Sequence, residues 1–402
     1  MKKLDCLWGL ILLTLLLTST LVACGGEDGA AQPLPPSASQ PAADLKVADQ
    51  GKIQLGGGRM LSLSPDGAWL AVMEGDALCV YAAGTLAQQT CANLEGRPLD
   101  RRTVAWAPDS SRLAFTEDVL RLMMDGDLWT LEVEGGELKN LSDDGVDGRF
   151  MQEDDVSLDM VPTWSRDGQT LVFARGIRVG GEWQGTALYR ISAGGGKAEE
   201  LLSVTDELPA AIWYGMGWSH DGKKIIYTVG KTQADDPDNG IWIADQEGKN
   251  PSKLLGRTDT MGLPVLIGVS GGAPQALIEY YEAAMRFSAE PNRAFFFLLD
   301  LETGETQPLK QAQGEAVEFF GPYAATFSPD GSKVLYTYKD MEDQYWLVVR
   351  DLAGGAENVL LTSDAPLGSG GDIGMGLQWA ANDTLYVATS PFDGWLLTLE
   401  TE

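Results

Sequence analysis

The chain has 402 residues, of which 44 % are apolar, and a formal charge of −29 at pH 7. Such an acidic excess argues against nucleic-acid binding, which needs a basic face to meet phosphates. The single histidine, His220, excludes sites built from several histidines, including the usual zinc centres.

The N-terminus has the features of an export signal. Residues 1–23 combine a basic start with an apolar run over residues 6–17, which is shorter than the ~20 residues that span a bilayer. The ending LVAC resembles a bacterial lipobox, and this resemblance implies cleavage before Cys24 and lipidation of its sulfur. We therefore expect an extracytoplasmic protein that is lipid-anchored to the bacterial cell membrane or the outer membrane. An ordinary signal peptide cut nearby, with Cys24 unmodified, stays open as the alternative.

Residues 24–50 are rich in glycine, alanine, proline and serine and show no apolar periodicity. This composition is typical of a disordered linker. The remaining residues, 51–402, form the predicted globular domain. The domain opens on the segment GKIQL, in which Ile53 and Leu55 alternate with polar residues as in a strand that has no partner of its own.

A short polar turn recurs through the globular domain. It reads LSPDG at 63–67, WAPDS at 106–110, WSRDG at 164–168, WSHDG at 218–222 and FSPDG at 327–331. Behind each turn come an apolar run, a variable loop, a second apolar run and a polar hairpin. Two weaker copies align in the same register. The bulky residue that precedes the turn therefore occurs seven times, at Leu63, Trp106, Trp164, Trp218, Val269, Phe327 and Trp379.

Seven copies of a four-strand unit predict an all-β fold, a seven-bladed β-propeller of four-stranded blades. In the turn, proline presets the backbone, aspartate bonds to nearby N–H groups, and glycine supplies the left-handed residue. The seventh copy lacks its last hairpin strand. We expect the N-terminal strand around Ile53 to take that place, so that it closes the last blade.

The repeat resembles the TolB-like propeller repeat, a relative of the WD-type blade, through its W-S-P-D-G turn and a later D-x-x-G-G element. The second element appears as DLAGG at residues 351–355. The resemblance covers nearly all of residues 51–402 and implies a periplasmic or cell-surface propeller that binds proteins or small ligands. We expect a monomer that touches the membrane only through its N-terminal lipid.

Cys79 and Cys91 flank a predicted hairpin centred near Thr85. The two cysteines then stand opposite one another on adjacent antiparallel strands, where Cβ atoms lie ~4.5–5.5 Å apart, close to the disulfide range. Disulfides persist in exported proteins. We predict a Cys79–Cys91 disulfide, and two buried free thiols are the alternative.

Acidic residues concentrate in long loops that the propeller topology places on one face, opposite the recurring turns. We predict a ligand- or cation-binding site from the carboxylates Asp143, Asp144, Asp147, Glu153, Asp154, Asp155, Asp235, Asp236 and Asp238. The segment DPDNG resembles part of a calcium loop but lacks the bidentate glutamate. Ca²⁺ is therefore the one cofactor considered, and solvated loops on an acidic protein are the alternative.

The function predicted from these features is that of a binding or scaffolding module for an extracytoplasmic protein or a small ligand, for which a cationic character would suit the acidic loops. We expect no enzyme, because one histidine cannot build a histidine-based catalytic site. The alternative is a carboxylate-dependent enzyme that acts on a polysaccharide, since paired acidic residues suffice for that chemistry.

Overall fold

A computed structural model describes residues 45–118, 124–149, 152, 154–205, 215–231, 233–280, 294–310, 319–368, 376–381 and 383–401. These residues form seven four-stranded antiparallel sheets, and the one helix among them is a single 3₁₀ turn at Arg101–Thr103. The prediction of an all-β, seven-bladed propeller with four-stranded blades is confirmed. Within the same ranges, no helix has the length and apolar character that crossing a bilayer requires.

The first strand of the chain, β1 (Leu45–Gln54), does not pair with the strands that follow it, and blade 1 begins at β2. Blade 1 contains β2 (Arg59–Leu63), β3 (Trp69–Glu74), β4 (Ala77–Ala82) and β5 (Gln88–Asn93). Blade 2 contains β6 (Ala105–Trp106), β7 (Arg112–Thr116), β8 (Leu128–Glu132) and β9 (Leu138–Asn140). Blade 3 contains β10 (Val156–Trp164), β11 (Thr170–Val179), β12 (Glu182–Ser192) and β13 (Glu199–Thr205).

Blades 4 to 6 repeat the same order. Blade 4 contains β14 (Met216–Trp218), β15 (Lys224–Val229), β16 (Gly240–Asp245) and β17 (Ser252–Gly256). Blade 5 contains β18 (Pro264–Val269), β19 (Gln275–Tyr280), β20 (Phe296–Asp300) and β21 (Thr306–Pro308). Blade 6 contains β22 (Phe319–Phe327), β23 (Lys333–Asp340), β24 (Tyr345–Asp351) and β25 (Glu357–Ser363). Blade 7 contains β26 (Leu377–Trp379), β27 (Thr384–Ala388) and β28 (Asp393–Thr401), and β1 is its fourth strand.

The first strand of each blade lies innermost, because first strands of neighbouring blades contact one another around the ring. Each of these seven strands ends at the bulky residue that the repeat predicts before the turn. In blade 3, for example, the indole of Trp164 donates to the Ala105 carbonyl of blade 2 at 3.0 Å. This hydrogen bond ties blade 3 to blade 2.

The recurring turn is held by its serine and aspartate. In blade 3, Ser165 Oγ donates to Asp167 at 2.6 Å and accepts from the Thr170 N–H at 3.0 Å. The Asp167 carboxylate also accepts from the N–H of Gln169 at 3.0 Å. These hydrogen bonds lower the pKa of Asp167. The same three bonds recur at Ser64–Asp66, Ser219–Asp221 and Ser328–Asp330.

The apolar core lies between blades. Each of the seven pairs of adjacent blades shares its own cluster of buried side chains, such as Leu61 and Leu78 of blade 1 with Leu113 and Leu131 of blade 2. A twisted four-stranded sheet has two apolar faces, and only its neighbours can cover both. The ring is thus stabilised by contacts that no blade makes alone.

Strand β1 completes blade 7 by pairing antiparallel with β28 over its whole length, from Leu45 opposite Thr401 to Gln54 opposite Asp393. The two ends of β1 contribute to different interfaces between blades. Leu45 is buried in the cluster shared with blade 6, and the Asn358 amide of blade 6 donates to the Leu45 carbonyl at 2.6 Å. Ile53 is 2 % exposed in the cluster shared with blade 1.

The boundary expected between linker and domain is wrong by six residues. Residues 24–50 were assigned to a disordered linker, but the closing strand already begins at Leu45. The amino-acid composition did not reveal that this segment forms a strand. Most residues in the first half of the strand are exposed, and its pairing with β28 shifts register between Val47 and Asp49. Residues 1–44, including Cys24, lie outside the described residues.

Cys79 on β4 stands directly opposite Cys91 on β5, as the hairpin register predicts. Their Cα atoms are 4.0 Å apart and their sulfur atoms are bonded. The link joins the two outer strands of blade 1 across a hairpin.

Shortening Ile53 tests the closure of the ring. We expect Ile53→Ala to lower the free energy of unfolding by about 2–5 kcal/mol, because it removes a fully buried side chain from the contact between blades 7 and 1. The matched control is Lys52→Ala, an exposed neighbour on the same strand, with an expected change within about 0.5 kcal/mol. Urea unfolding measures both, and equal effects of the two substitutions would contradict the closure.

Candidate functional site

The predicted acidic residues form two groups in the structure. One group contacts the side chain of Lys231, and the other includes Asp144, which contacts Arg175. In the segment after β15, Lys231 Nζ lies 2.7 Å from an Asp238 oxygen and 3.4 Å from an Asp236 oxygen. Asp236 also accepts from the backbone N–H of Asp238 at 2.8 Å, while Asp235 is exposed. The ammonium of Lys231 thus contacts two of the three carboxylates that the sequence suggested for a cation in this segment.

The other group lies in the loop between β9 and β10. Asp144 approaches Arg175 Nη1 at 3.3 Å, and Asp143 is exposed and caps the N–H of Gly145. The remaining described members accept backbone N–H bonds or face solvent: Asp154 bonds to Arg149, Asp155 bonds to Gly180, and Asp147 is exposed. Glu153 lies outside the described residues.

Below this loop lies a buried charge cluster that the sequence reasoning missed. Asp159 on β10 stands directly opposite Arg175 on β11, and the pair is bidentate, with contacts of 2.6 and 2.8 Å. Ser142 Oγ donates to the second oxygen of Asp159 at 2.5 Å. The Arg175 guanidinium also packs over the rings of Phe173 and Tyr189, with distances to the centroids of 5.4 and 5.3 Å. The guanidinium of Arg175 therefore contacts both carboxylate oxygens and aromatic rings.

Two further aspartates enter the cluster from the loop before β8. Asp125 accepts from the Ser157 N–H at 2.6 Å, and Asp127 accepts from the Asn140 amide at 2.7 Å. Burial raises the pKa of Asp125 to about 8, although the bond from Ser157 opposes it. Burial likewise raises the pKa of Asp127, and it raises that of Asp159 to about 6 against the effect of Arg175. Asp125 therefore retains its proton near neutral pH.

Beside this cluster, a cavity of about 450 Å³ opens between blades 1 and 2. Its polar wall is Glu117, which follows β7 and whose side chain is 3 % exposed. Glu117 accepts from Arg97 Nη1 at 3.0 Å and from the Trp129 indole at 3.0 Å. Burial raises the pKa of Glu117, while the charge of Arg97 opposes the shift. The apolar walls are supplied by Leu94, Phe115 and Leu138.

The presence of Arg97 distinguishes the indole–carboxylate pair of blade 2 from the similar pair in blade 6. The side chain of Arg97 is 46 % exposed, and its Nη1 contacts both oxygens of Glu117. A comparable indole–carboxylate bond exists in blade 6, where Trp346 donates to Asp340 at 2.8 Å. Blade 2 adds to that bond an arginine and a cavity. A pocket of this size with aromatic walls and a few fixed polar groups is suited to a small ligand or one unit of a polymer.

Metal-binding geometry in the described residues is confined to blade 1. The one set of three potential ligands within 4.8 Å of one another, in the part of the chain that the structure describes, is Glu74 with Cys79 and Cys91. Its two sulfur atoms are joined in the disulfide. The carboxylates of the blade 2–3 cluster are bound to Arg175 and to backbone N–H groups. The described residues therefore do not offer an open metal centre.

No protein-family model and no curated protein sequence matches the chain. Solved structures share its fold. An oligogalacturonate lyase in complex with manganese superposes with a TM-score of 0.59 at 15 % identity, over 91 % of this chain and 99 % of the lyase. An oligogalacturonate lyase from Vibrio parahaemolyticus gives 0.56 at 12 % identity, over 90 % and 98 % of the two chains. A putative TolB from Agrobacterium tumefaciens gives 0.41 at 15 % identity, over 76 % and 91 %. At these identities the likeness to the two lyases shows the shared propeller fold alone.

The prediction that the chain is no enzyme is wrong. Two propellers that share the fold across nine tenths of this chain are lyases, so the scaffold carries catalysis. A single histidine excludes only histidine-based sites. Acid–base chemistry is also open to a carboxyl group whose pKa is raised by burial, such as Glu117 beside Arg97.

The buried carboxyl of Asp125 predicts a specific dependence of stability on pH. Because its pKa is raised on folding, the group favours the folded state below its ordinary pKa, and this contribution is lost as the pH rises toward 8. Asp125→Asn keeps an oxygen that can accept the Ser157 N–H and cannot ionise. We expect this variant to melt at a higher temperature than the parent at pH 8, with the difference vanishing near pH 4.

The control for this experiment is Asp143→Asn, an exposed carboxylate of the same region. Its melting temperature should follow the parent across the pH range. A constant offset between Asp125→Asn and the parent from pH 4 to pH 8 would contradict the raised pKa.

Proposed function

We propose that this propeller acts on a polysaccharide, with the pocket between blades 1 and 2 as the binding site and Glu117 as its acid–base group. The observation that carries the proposal is the placement of a buried carboxyl group between an exposed arginine and an indole at the wall of a cavity. A general acid at neutral pH needs a pKa above the ordinary glutamate value. The burial of Glu117 acts in that direction.

Each wall of the pocket has a part in this proposal. The apolar side chains and the Trp129 ring offer a face for a sugar ring, and Arg97 offers N–H donors to its oxygen atoms. Glu117, once protonated, can donate to an oxygen of the bound sugar. The fold likeness to two oligogalacturonate lyases makes oligogalacturonate the first substrate to test. Manganese is present in one of those lyases, but the described residues do not fit a metal, and no step here depends on one.

We further propose that the propeller is held outside the cytoplasm by a lipid on Cys24. The support is the LVAC sequence behind a short apolar run, followed by a linker-like stretch before the closing strand at Leu45. A tether of about 20 residues reaches an r.m.s. distance of roughly 22–27 Å if it is flexible.

Substitution of Glu117 tests the activity. Binding is measured by calorimetry, and cleavage by new reducing ends or by ultraviolet absorbance of unsaturated products, on oligogalacturonate and on neutral glucans and xylans. We expect Glu117→Gln to keep the affinity within about threefold while cleavage falls by about 10²–10⁴-fold, the usual contribution of a general acid or base. Trp129→Phe should lower cleavage by removing the bond that orients Glu117.

The matched controls are Asp340→Asn and Trp346→Phe, which alter the similar pair in blade 6. Both should leave binding and cleavage at the parent level. Loss of activity to the same degree in the blade 6 and blade 2 variants, or full activity of Glu117→Gln, would contradict the assignment of the pocket.

Substitution of Cys24 tests the anchor. We expect the parent to enter the detergent phase of Triton X-114, because a lipidated N-terminus carries acyl chains. The Cys24→Ser variant should remain in the aqueous phase, whereas the control Cys6→Ser should behave as the parent. Equal partition of parent and Cys24→Ser would contradict lipidation at this residue.

A further inference from the structure

The second position of the recurring turn does not hold proline in every blade. Blades 1, 2 and 6 keep proline, whereas blades 3, 4, 5 and 7 carry in turn Arg166, His220, Gly271 and Ala381. Blade 5 also has glycine in place of the turn aspartate, at Gly272. Residues that depart from the repeat pattern are candidates for functional residues, because the pattern itself already specifies the geometry of the turn. Two of these departures, Arg166 and Gly271, meet in space.

Arg166 extends from the turn of blade 3 across the turns of blades 4 and 5. Its Nε donates to the Ser219 carbonyl at 3.2 Å, and its Nη2 donates to the Trp218 and Ser270 carbonyls at 3.1 and 3.2 Å. The stem of the side chain lies against Gly222 of blade 4. These bonds fix the plane of the guanidinium. The three bonds involve Nε and Nη2, and none of them involves Nη1.

Arg166 has no ion pair with a carboxylate among the residues that the structure describes. The aspartates of the neighbouring turns are engaged by their own turns. Asp221 accepts from Ser219 and the Lys223 N–H, and Asp330 accepts from Ser328 and from Ser332. Arg166 thus donates to carbonyls, as Arg350 does, in a chain with a formal charge of −29. Because Arg166 is exposed, its charge is accessible to an anion from outside the chain.

A cavity of about 260 Å³ lies beside Arg166, between the inner strands of blades 5 and 6 and at their turn ends. Gly271 borders it, and a Cβ atom at that residue would stand 3.9 Å from Arg166 Nη1 and 2.9 Å from the Pro329 carbonyl. Any larger residue at Gly271 would have to displace the turn of blade 6. The lining includes the apolar residues Ile267, Leu277 and Phe327, together with the polar residues Thr326 and Ser328, and more of the accessible lining is polar than apolar.

We propose that this cavity binds a small organic monocarboxylate, with its carboxylate on Arg166 and its short hydrocarbon chain against Ile267, Leu277 and Phe327. A planar guanidinium matches a carboxylate in geometry and charge, and one cation suits one anion. The cavity is smaller than the ~300–1,000 Å³ typical of sites for drug-sized ligands, so that it suits a ligand of few heavy atoms. The site lies at the turn ends of blades 5 and 6, and it is independent of the pocket between blades 1 and 2.

The test uses the purified full chain with acetate, propionate, butyrate and valerate, and with butyramide as the uncharged analogue of butyrate. Affinity is measured by calorimetry and by the rise in melting temperature. We expect saturable binding that strengthens from acetate to butyrate and is absent for butyramide. Arg166→Gln should weaken butyrate binding at least about tenfold, as expected for a lost charge-assisted hydrogen bond. Arg166→Lys, which keeps the charge, should retain part of the affinity.

A second variant separates binding from the bonds that Arg166 makes between blades. Gly268 lines the cavity, and a Cβ atom there would meet nothing within 4 Å, so that Gly268→Leu fills the cavity with Arg166 unchanged. We expect this variant to melt as the parent without ligand and to lose butyrate binding. The control Arg190→Gln removes a surface arginine paired with Glu199 and should bind as the parent.

Equal binding of butyrate and butyramide would overturn the proposal, as would parent affinity in both folded variants or no saturation with any acid of the series. If Arg166→Gln does not fold, Gly268→Leu alone decides the question.

Discussion

The structure depends on apolar burial between blades. A four-stranded sheet such as blade 1 can cover neither of its faces by itself, and its buried residues meet those of blades 2 and 7 in separate clusters. Burial of apolar surface is worth about 25 cal/mol per Å², and here most of that surface is covered only when the ring is complete. The strand from Leu45 to Gln54 contributes to two of the seven interfaces, so that the chain's first described strand decides whether the ring closes.

Both candidate sites follow from this constraint. Where side chains from adjacent blades do not fill the space between them, a cavity remains with walls from two blades, as at Glu117 and at Gly271. Polar groups at such positions are fixed by the surrounding packing, which raises the pKa of Glu117 and holds the Arg166 guanidinium in one plane. Rigid placement of this kind favours binding and acid–base chemistry because the groups need no reordering when a ligand arrives.

The fold could be predicted from the sequence because its signals are local. The turn is set by residues two to five apart, such as Ser165, Asp167 and Thr170, and seven repetitions of it determine the architecture. The site could not be predicted in the same way. Asp159 and Arg175 stand directly opposite only once the register of two strands is known, although a charge inside each apolar run was a visible signal. The many acidic residues in exposed loops predicted a binding site there, whereas the carboxyl groups with raised pKa, such as Asp125, lie beneath those loops.

Native-state hydrogen exchange of the purified full chain tests the central claim that closure couples all blades. Amides in the middle of β3, β15 and β27 belong to blades 1, 4 and 7 and are paired on both sides. If the interfaces depend on one closed ring, these amides should exchange with the same free energy of opening and the same denaturant dependence, equal to those of global unfolding. Opening of β27 at a distinctly lower free energy, with β3 and β15 still protected, would mean that blade 7 unfolds alone and would contradict the account.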